Sequence, residues 1–169
     1  DSAGTDTGAD SLVISARTIQ TSTVFGGAGA DTLILGDTVA ASQIVGGDFR
    51  AFAGNDSVAV TGSFVSTTVR GGAGNDTFVF AETVTAASVD GGAAKDSIVF
   101  SEVVQAGTTA MGGAGNDTLS FANGATSVSI SGSTGVDKIL FSGAAVANST
   151  VDLGSDADVF TLSVGANQS

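Results

Sequence analysis

Residues 71–80 read GGAGNDTFVF, and the two halves of this stretch favour different structures. The first six residues, GGAGND, favour a turn, because glycine readily adopts positive φ and because Asn and Asp side chains bond their own backbone. The last four, TFVF, are β-branched or aromatic and favour a short strand. Variants of both halves recur along the rest of the chain, so the sequence is analysed first as a repeat.

The Asp that ends the turn returns at intervals of 20 or 21 residues, with one longer interval of 25. Repeats of this length indicate a solenoid, in which each repeat forms one coil. The long interval contains GGDFRAFAG (46–54), from which we expect an insertion loop near residues 48–53. We expect residues 1–169 to form a single domain and to be a segment of a longer protein. The repeated positions are Asp10, Asp31, Asp56, Asp76, Asp96, Asp117, Asp137 and Asp158.

Apolar residues stand two and four positions after each Asp, so both lie on one face of a strand. A second apolar position precedes each turn. One repeat cannot form a core alone, whereas coils stacked ~4.8 Å apart form a continuous one. The prediction is an all-β, right-handed parallel β-solenoid (β-roll or β-helix) with about eight coils of 20–21 residues and two short strands per coil. It places Arg70 beside Asp90 and makes a ladder of Phe80, Phe100, Phe121 and Phe141.

The residue between the two inward positions is often apolar too, as at Val13, Ile34, Val79 and Val99, and Ser or Thr lies beside it. Two explanations stay open. The apolar residues can reflect β-propensity in a wall strand, or they can form a flat lateral contact surface.

Composition excludes several classes of function. The net charge is −12 with only five Lys and Arg, so the basic footprint of a nucleic-acid-binding protein is missing. No apolar run approaches the ~20 residues of a membrane helix. The chain contains no Cys, hence no disulfide and no thiolate metal site, and it also contains no His or Tyr. We therefore do not expect an enzyme.

Three turns, GGAGADTLI (26–34), GGAGNDTFV (71–79) and GGAGNDTLS (112–120), resemble the GGxGxDxUx repeat of the RTX family of secreted bacterial proteins, where U is a large apolar residue. That repeat is a calcium-binding β-solenoid pattern. Ca²⁺ prefers six to eight hard oxygens from carboxylates and carbonyls, which such turns offer. The resemblance implies several Ca²⁺ ions in one row, between the glycine turns of adjacent coils. The ligands it implies are Asp31, Asp56, Asp76, Asp96, Asp117 and Asp137, with the turn residues Gly27, Gly29, Gly54, Gly72, Gly74, Gly113 and Gly115.

Some turns depart from the family pattern. GGAAKDSIV (91–99) has Ala94 for glycine and Lys95 beside the Asp, and GSTGVDKIL (132–140) lacks the second glycine. Both departures weaken the expectation of a cation there. On the opposite turn, Glu82 and Glu102 are either solvated charges or ligands of an extra cation, and Asp37 occupies the equivalent position.

The resemblance implies a calcium-dependent structural module of a secreted bacterial extracellular protein, such as a surface layer, filament or adhesin. One alternative is a calcium-dependent ice- or surface-binding solenoid, although Ala28, Ala73, Ala93 and Ala114 stand where such proteins have turn Thr. Another is an RTX accessory region of a secreted enzyme or toxin. Expected partners are calcium ions and either further copies of the chain, meeting laterally or end to end, or neighbouring domains.

Overall fold

The computed structural model describes residues 7–36, 43–143 and 146–164, and its regular structure in these ranges is entirely β-strand. Each strand is short, with two to six residues. In chain order the strands are β1 (Ser11–Ile14), β2 (Thr18–Gln20), β3 (Thr23–Ala28), β4 (Thr32–Leu35), β5 (Gln43–Val45), β6 (Asp48–Ala53), β7 (Ser57–Val60), β8 (Ser63–Val65), β9 (Thr68–Ala73), β10 (Thr77–Phe80), β11 (Val84–Thr85), β12 (Ser88–Ala93), β13 (Ser97–Phe100), β14 (Val104–Gln105), β15 (Thr109–Ala114), β16 (Thr118–Phe121), β17 (Ala125–Thr126), β18 (Ser129–Thr134), β19 (Lys138–Gly143), β20 (Val146–Ala147), β21 (Thr150–Asp152) and β22 (Val159–Val164).

These strands form three parallel sheets, because each strand pairs with the strands three places before and after it in the chain. Sheet A has the order β1-β4-β7-β10-β13-β16-β19-β22, sheet B the order β2-β5-β8-β11-β14-β17-β20, and sheet C the order β3-β6-β9-β12-β15-β18-β21. The predicted all-β parallel solenoid is confirmed, with about seven coils. The prediction of two strands per coil is wrong, since each coil adds a third strand in sheet B. Members of sheet B such as Val84–Thr85 are too short for their alternation to be recognised in the sequence.

The insertion loop predicted near residues 48–53 is also wrong. Asp48–Ala53 is strand β6, paired with β3 on one side and β9 on the other. The extra residues lie instead between β4, which ends at Leu35, and β5, which begins at Gln43. Residues 37–42 of that interval, and with them the predicted position of Asp37, lie outside the described residues.

The predicted phenylalanine ladder is confirmed and occupies the core behind sheet A. The rings of Phe80, Phe100, Phe121 and Phe141 stack with centroids 5.0, 4.9 and 4.7 Å apart and are almost fully buried. Offset stacks of this spacing add roughly 0.5–1.5 kcal/mol per pair beyond the burial of the rings. The ladder therefore helps to fix the register of successive coils.

The corner between sheets B and C has its own repeated conformation. In each coil one residue there adopts positive φ, for example Thr21 (46°), Ser66 (50°) and Ala86 (52°). A hydroxyl often follows: the Thr67 hydroxyl donates to the Val65 carbonyl at 2.7 Å and accepts from the Gly47 N–H at 3.4 Å. The corner is thus held by local bonds although it lacks the glycine-rich sequence of the other turn.

The outward faces of the sheets differ in chemistry. Sheet A exposes the predicted apolar stripe, in which Val13 and Val79 are exposed. Sheet C carries Arg70 beside Asp90 in register, as predicted, but the Arg70 guanidinium pairs with Asp48 at 3.1 Å instead.

No described residue belongs to a helix long and apolar enough to cross a membrane.

Candidate metal centre

The six predicted Asp ligands form one continuous column along the edge between sheets C and A. Each lies directly before a strand of sheet A, so the parallel register of that sheet stacks them coil upon coil. Each is at most 6 % exposed, which is unusual for carboxylates. The members of this Asp column are Asp31, Asp56, Asp76, Asp96, Asp117 and Asp137.

One carboxylate oxygen of each Asp is satisfied by the main chain of the coil before it. The Asp76 N–H donates to Asp96 Oδ1 at 2.7 Å, and the Asp96 N–H donates to Asp117 Oδ1 at 2.7 Å. The same bond recurs along the column at 2.7 to 2.9 Å. This ladder explains why a short side chain with an acceptor oxygen is required at this point of every coil.

The other oxygen of each Asp, Oδ2, is buried and has no hydrogen-bond partner among the described residues. It lies beside the first glycine of its own turn. A Cβ placed on Gly112 would lie 2.6 Å from Asp117 Oδ2 and 2.9 Å from the carbonyl oxygen of Gly132 in the following coil. At Gly26 the corresponding distances are 2.5 Å to Asp31 Oδ2 and 2.8 Å to the Ala51 carbonyl oxygen.

The first glycine therefore leaves a small space that is flanked by a carboxylate oxygen and a carbonyl oxygen. Both atoms are acceptors, so a proton or a cation at this position would interact favourably with both. The sequence did not predict a role for this glycine, although it is present in five of the six column turns. Those five are Gly26, Gly71, Gly91, Gly112 and Gly132.

The glycines that the resemblance implied as ligands share a positive φ, and their role as ligands stays a prediction. Gly27, Gly72 and Gly113 have φ of 109°, and the fourth-position glycines have φ between 129° and 142°. Other residues rarely adopt such angles, so these glycines shape the turn. The carbonyl that flanks Asp Oδ2 belongs to the first position, one coil further on. The fourth-position glycines are Gly29, Gly54, Gly74 and Gly115.

Burial is the main influence on the protonation of the column. Burial first, and the neighbouring carboxylates second, raise the pKa of Asp76 to about 6 and that of Asp96 to about 7. The backbone hydrogen bond to Oδ1 opposes this rise. Burial also raises the pKa of Asp56, Asp117 and Asp137. Ionised carboxylates in this column are therefore disfavoured unless a positive charge compensates them.

The oxygen atoms at this edge suit a hard cation whose ligands are largely main-chain carbonyls. No three carboxylates converge on one point within the ranges 7–36, 43–143 and 146–164. Each turn instead offers one sealed carboxylate oxygen and carbonyl oxygens, which are ligands typical of Ca²⁺. Glu82 and Glu102 are exposed on the opposite edge, where Glu102 Oε2 accepts a hydrogen bond from Asn123 Nδ2 at 3.1 Å.

Three turns depart from the common pattern, among them the turn of Asp137, where Ser133 replaces the second glycine and adopts φ of 83°. Ala51 replaces the first glycine in the turn of Asp56, so this turn carries a methyl group where the other five column turns have none. Ala94 replaces the fourth glycine before Asp96 and adopts φ of 86°. Lys95 is exposed, and its backbone N–H donates to Asn75 Oδ1 at 3.0 Å. The Asn75 backbone N–H donates in the same way to Asn55 Oδ1, so these bonds form a second ladder. That ladder accounts for Asn in the motif.

Comparisons with protein-family models, with curated proteins and with solved structures find no match for this chain. The chemistry of the Asp column therefore carries the functional argument.

Proposed function

We propose that this chain is a calcium-dependent structural β-solenoid module of a secreted bacterial extracellular protein, such as a surface layer, a filament or an adhesin. The observation that carries the proposal is the Asp column, in which all six Oδ2 atoms are buried and unpartnered among the described residues, and five of them share the space beside the first glycine with a carbonyl oxygen of the next coil. A row of cations beside these oxygens would satisfy both acceptors at once.

The electrostatic cost of the column is large enough to matter. Two carboxylates ~4.8 Å apart repel by about 1 kcal/mol in water and about 3.5 kcal/mol at an effective dielectric constant of 20. Six stacked carboxylates contain five such neighbouring pairs. A cation site held ~100-fold above its Kd contributes about 2.7 kcal/mol in return, and several sites together approach the net stability of a domain.

An extracellular setting agrees with the kind of site that the turns offer. Sites with few carboxylates bind Ca²⁺ weakly, and weak sites belong to extracellular modules, where Kd values reach 10⁻⁴–10⁻³ M. Such a chain would remain loosely folded where calcium is scarce and become rigid where it is abundant. The resemblance of its turns to the RTX repeat supports secretion from a bacterium.

The outward face of sheet A favours one second candidate, a surface-binding or ice-binding solenoid. Two straight ranks run along its eight strands, one rich in Ser and Thr and one rich in aliphatic residues. Regular ranks of this kind can match a repeating surface. A thermal-hysteresis measurement tests binding to ice, and no hysteresis at any protein concentration would reject ice binding.

The calcium proposal is tested by far-ultraviolet circular dichroism and by the melting temperature during chelation. We expect chelation to reduce the β-sheet signal and the melting temperature, and we expect Ca²⁺ to restore both. Mg²⁺ serves as the control, because it demands octahedral geometry and keeps its water ligands. An unchanged spectrum and an unchanged melting temperature after complete chelation would contradict the proposal.

A further inference from the structure

The outward face of sheet C carries one column of residues whose charge changes sign along the solenoid. The register of the seven strands stacks these residues one per coil. Two arginines lie toward the first coils, and acidic residues lie toward the last ones. From the first coil to the last, the column is Phe25, Arg50, Arg70, Asp90, Met111, Ser131 and Asp152.

The charges on this face are unevenly paired within one molecule. Arg50 and Arg70 both bond Asp48, at 2.7 and 3.1 Å, so two positive charges share one carboxylate. Asp90 lies beside Arg70, yet it forms no ion pair with any residue that the structure describes. The face thus has an excess positive charge and an excess negative charge on neighbouring strands.

The apolar members of the column have the character of an interface. Phe25 is 47 % exposed, and the Arg50 guanidinium lies 5.9 Å from the centroid of its ring. Met111 is half-buried on the same column. Aromatic residues, Met and Arg are the types enriched where proteins meet.

We propose that two copies of this chain form a dimer through the outward faces of sheet C, with their solenoid axes antiparallel. A two-fold axis parallel to the strands, between β9 and β12, reverses the order of the coils. It places Arg70 against the partner's Asp90, and by symmetry Asp90 against the partner's Arg70. Along the same column it sets Arg50 against the partner's Met111 and Phe25 against the partner's Ser131.

The antiparallel arrangement follows from the direction of the charge change. If the two solenoids ran parallel, Arg70 would lie at the height of the partner's Arg70, and like charges would face each other. In the antiparallel arrangement the face is complementary to itself, and each unlike pair occurs twice, as in an isologous interface. This self-complementarity identifies the occupant of the face as a second copy of the chain.

The size of the face sets the strength of the dimer. Six strands of six residues overlap, and they cover roughly 29 Å by 20 Å at the standard spacings, or about 600 Å² per partner. This is at the low end of specific interfaces, so the dimer is expected to be weak and concentration-dependent. Its contacts include ion pairs, so added salt is expected to weaken it.

Sedimentation equilibrium of the whole chain at saturating Ca²⁺ tests the dimer. Arg70→Asp alone and Asp90→Arg alone should each raise the dissociation constant by about tenfold or more, because each faces like charges across the interface. The double variant Arg70→Asp/Asp90→Arg restores unlike pairs and should return to within about threefold of the wild type. Glu82→Arg, a charge reversal on another edge, is the matched control and should leave the constant unchanged.

Circular dichroism verifies that each variant is folded. Where a reversal disturbs the fold, the neutral variants Arg70→Thr and Asp90→Ser take its place, and each should weaken the dimer by a smaller factor. A chain that remains monomeric at every concentration overturns the proposal. So does an association that the double variant fails to restore, or one that Val79→Lys on sheet A abolishes while the sheet C variants leave it intact.

Discussion

Two columns run side by side along this solenoid, the phenylalanine ladder and the Asp column, and the same repeat builds both. In the phenylalanine ladder each new ring meets another ring at 4.7 to 5.0 Å. In the Asp column each new carboxylate meets another carboxylate and adds one sealed Oδ2 without a partner. Both columns are almost completely buried. One becomes more favourable with every coil, whereas the other becomes less favourable.

In a regular repeat each contact recurs in every coil. A favourable contact therefore adds stability with every coil, and an unfavourable contact removes stability with every coil. Stacking identical apolar side chains needs nothing from outside the chain, since each layer buries the one before it. Stacking identical charges requires a compensating charge in every layer. The pH and the calcium concentration should therefore change stability through the Asp column, whereas the contacts of the phenylalanine ladder do not themselves depend on either.

The largest effect is expected in the phenylalanine ladder itself. Phe100→Ala removes a fully buried ring that stacks on Phe80 and Phe121, and it should lower the unfolding free energy by about 3–5 kcal/mol. Denaturant unfolding should give a similar loss whether calcium is present or chelated. A loss that appears only in calcium would contradict the independence of the two columns.

A smaller effect is expected when the space in the Asp column is filled. Gly112→Ala puts a methyl group against Asp117 Oδ2 and the Gly132 carbonyl oxygen, and overpacking of this kind costs about 1–3 kcal/mol. Isothermal titration should also show fewer calcium ions bound. Gly46→Ala is the control: its methyl group would meet nothing within 4 Å at φ of 67°, so it should cost about 1 kcal/mol and bind the same number of ions. An unchanged ion count in Gly112→Ala would contradict the assigned position of the site.

The third expected effect is a pH dependence that reverses with calcium. Burial raises the pKa of Asp76 to about 6 and of Asp96 to about 7, above the ordinary value of 3.8. The calcium-free folded chain thus retains protons that the unfolded chain releases, and this stability is full below the ordinary value and lost as the pH rises through about 7.

The melting temperature of the chelated chain should therefore fall as the pH rises from about 4 to above 7. In saturating calcium it should rise over the same range, because protons compete with the cation for the carboxylates. Melting curves at several pH values test both trends, and parallel trends with and without calcium would contradict them. The destabilisation caused by Phe100→Ala should not vary with pH.

The sequence predicted the features that repeat in residue type. The Asp spacing located the column, and alternation after each Asp located Phe80, Phe100, Phe121 and Phe141 in the core. It also placed Arg70 beside Asp90. In each case the same type of residue recurs at the same position of the repeat, so the structure of one coil could be predicted from that of its neighbours.

The features that the sequence did not predict depend on local conformation or on contacts between coils. Sheet B was missed because strands such as Val104–Gln105 have two residues, too few to alternate. The corner at Thr21, Ser66 and Ala86 was missed because positive φ there is adopted by residues with no common type. The role of Gly112 was missed because it arises only where Asp117 meets the carbonyl of the following coil.

The unfolding free energy of Asp96→Asn, measured with and without calcium, tests the central claim most directly. The Asn amide would still accept the Asp76 N–H at Oδ1, while its NH₂ group would donate to the Gly112 carbonyl in place of Oδ2. Without calcium we expect the variant to be more stable than the wild type by about 1–3 kcal/mol, because the unpartnered oxygen is gone. With calcium we expect it to be less stable, because one ion is lost, while the exposed control Glu82→Gln should change little in either condition. A substitution that shifts stability in the same direction with and without calcium would contradict the account.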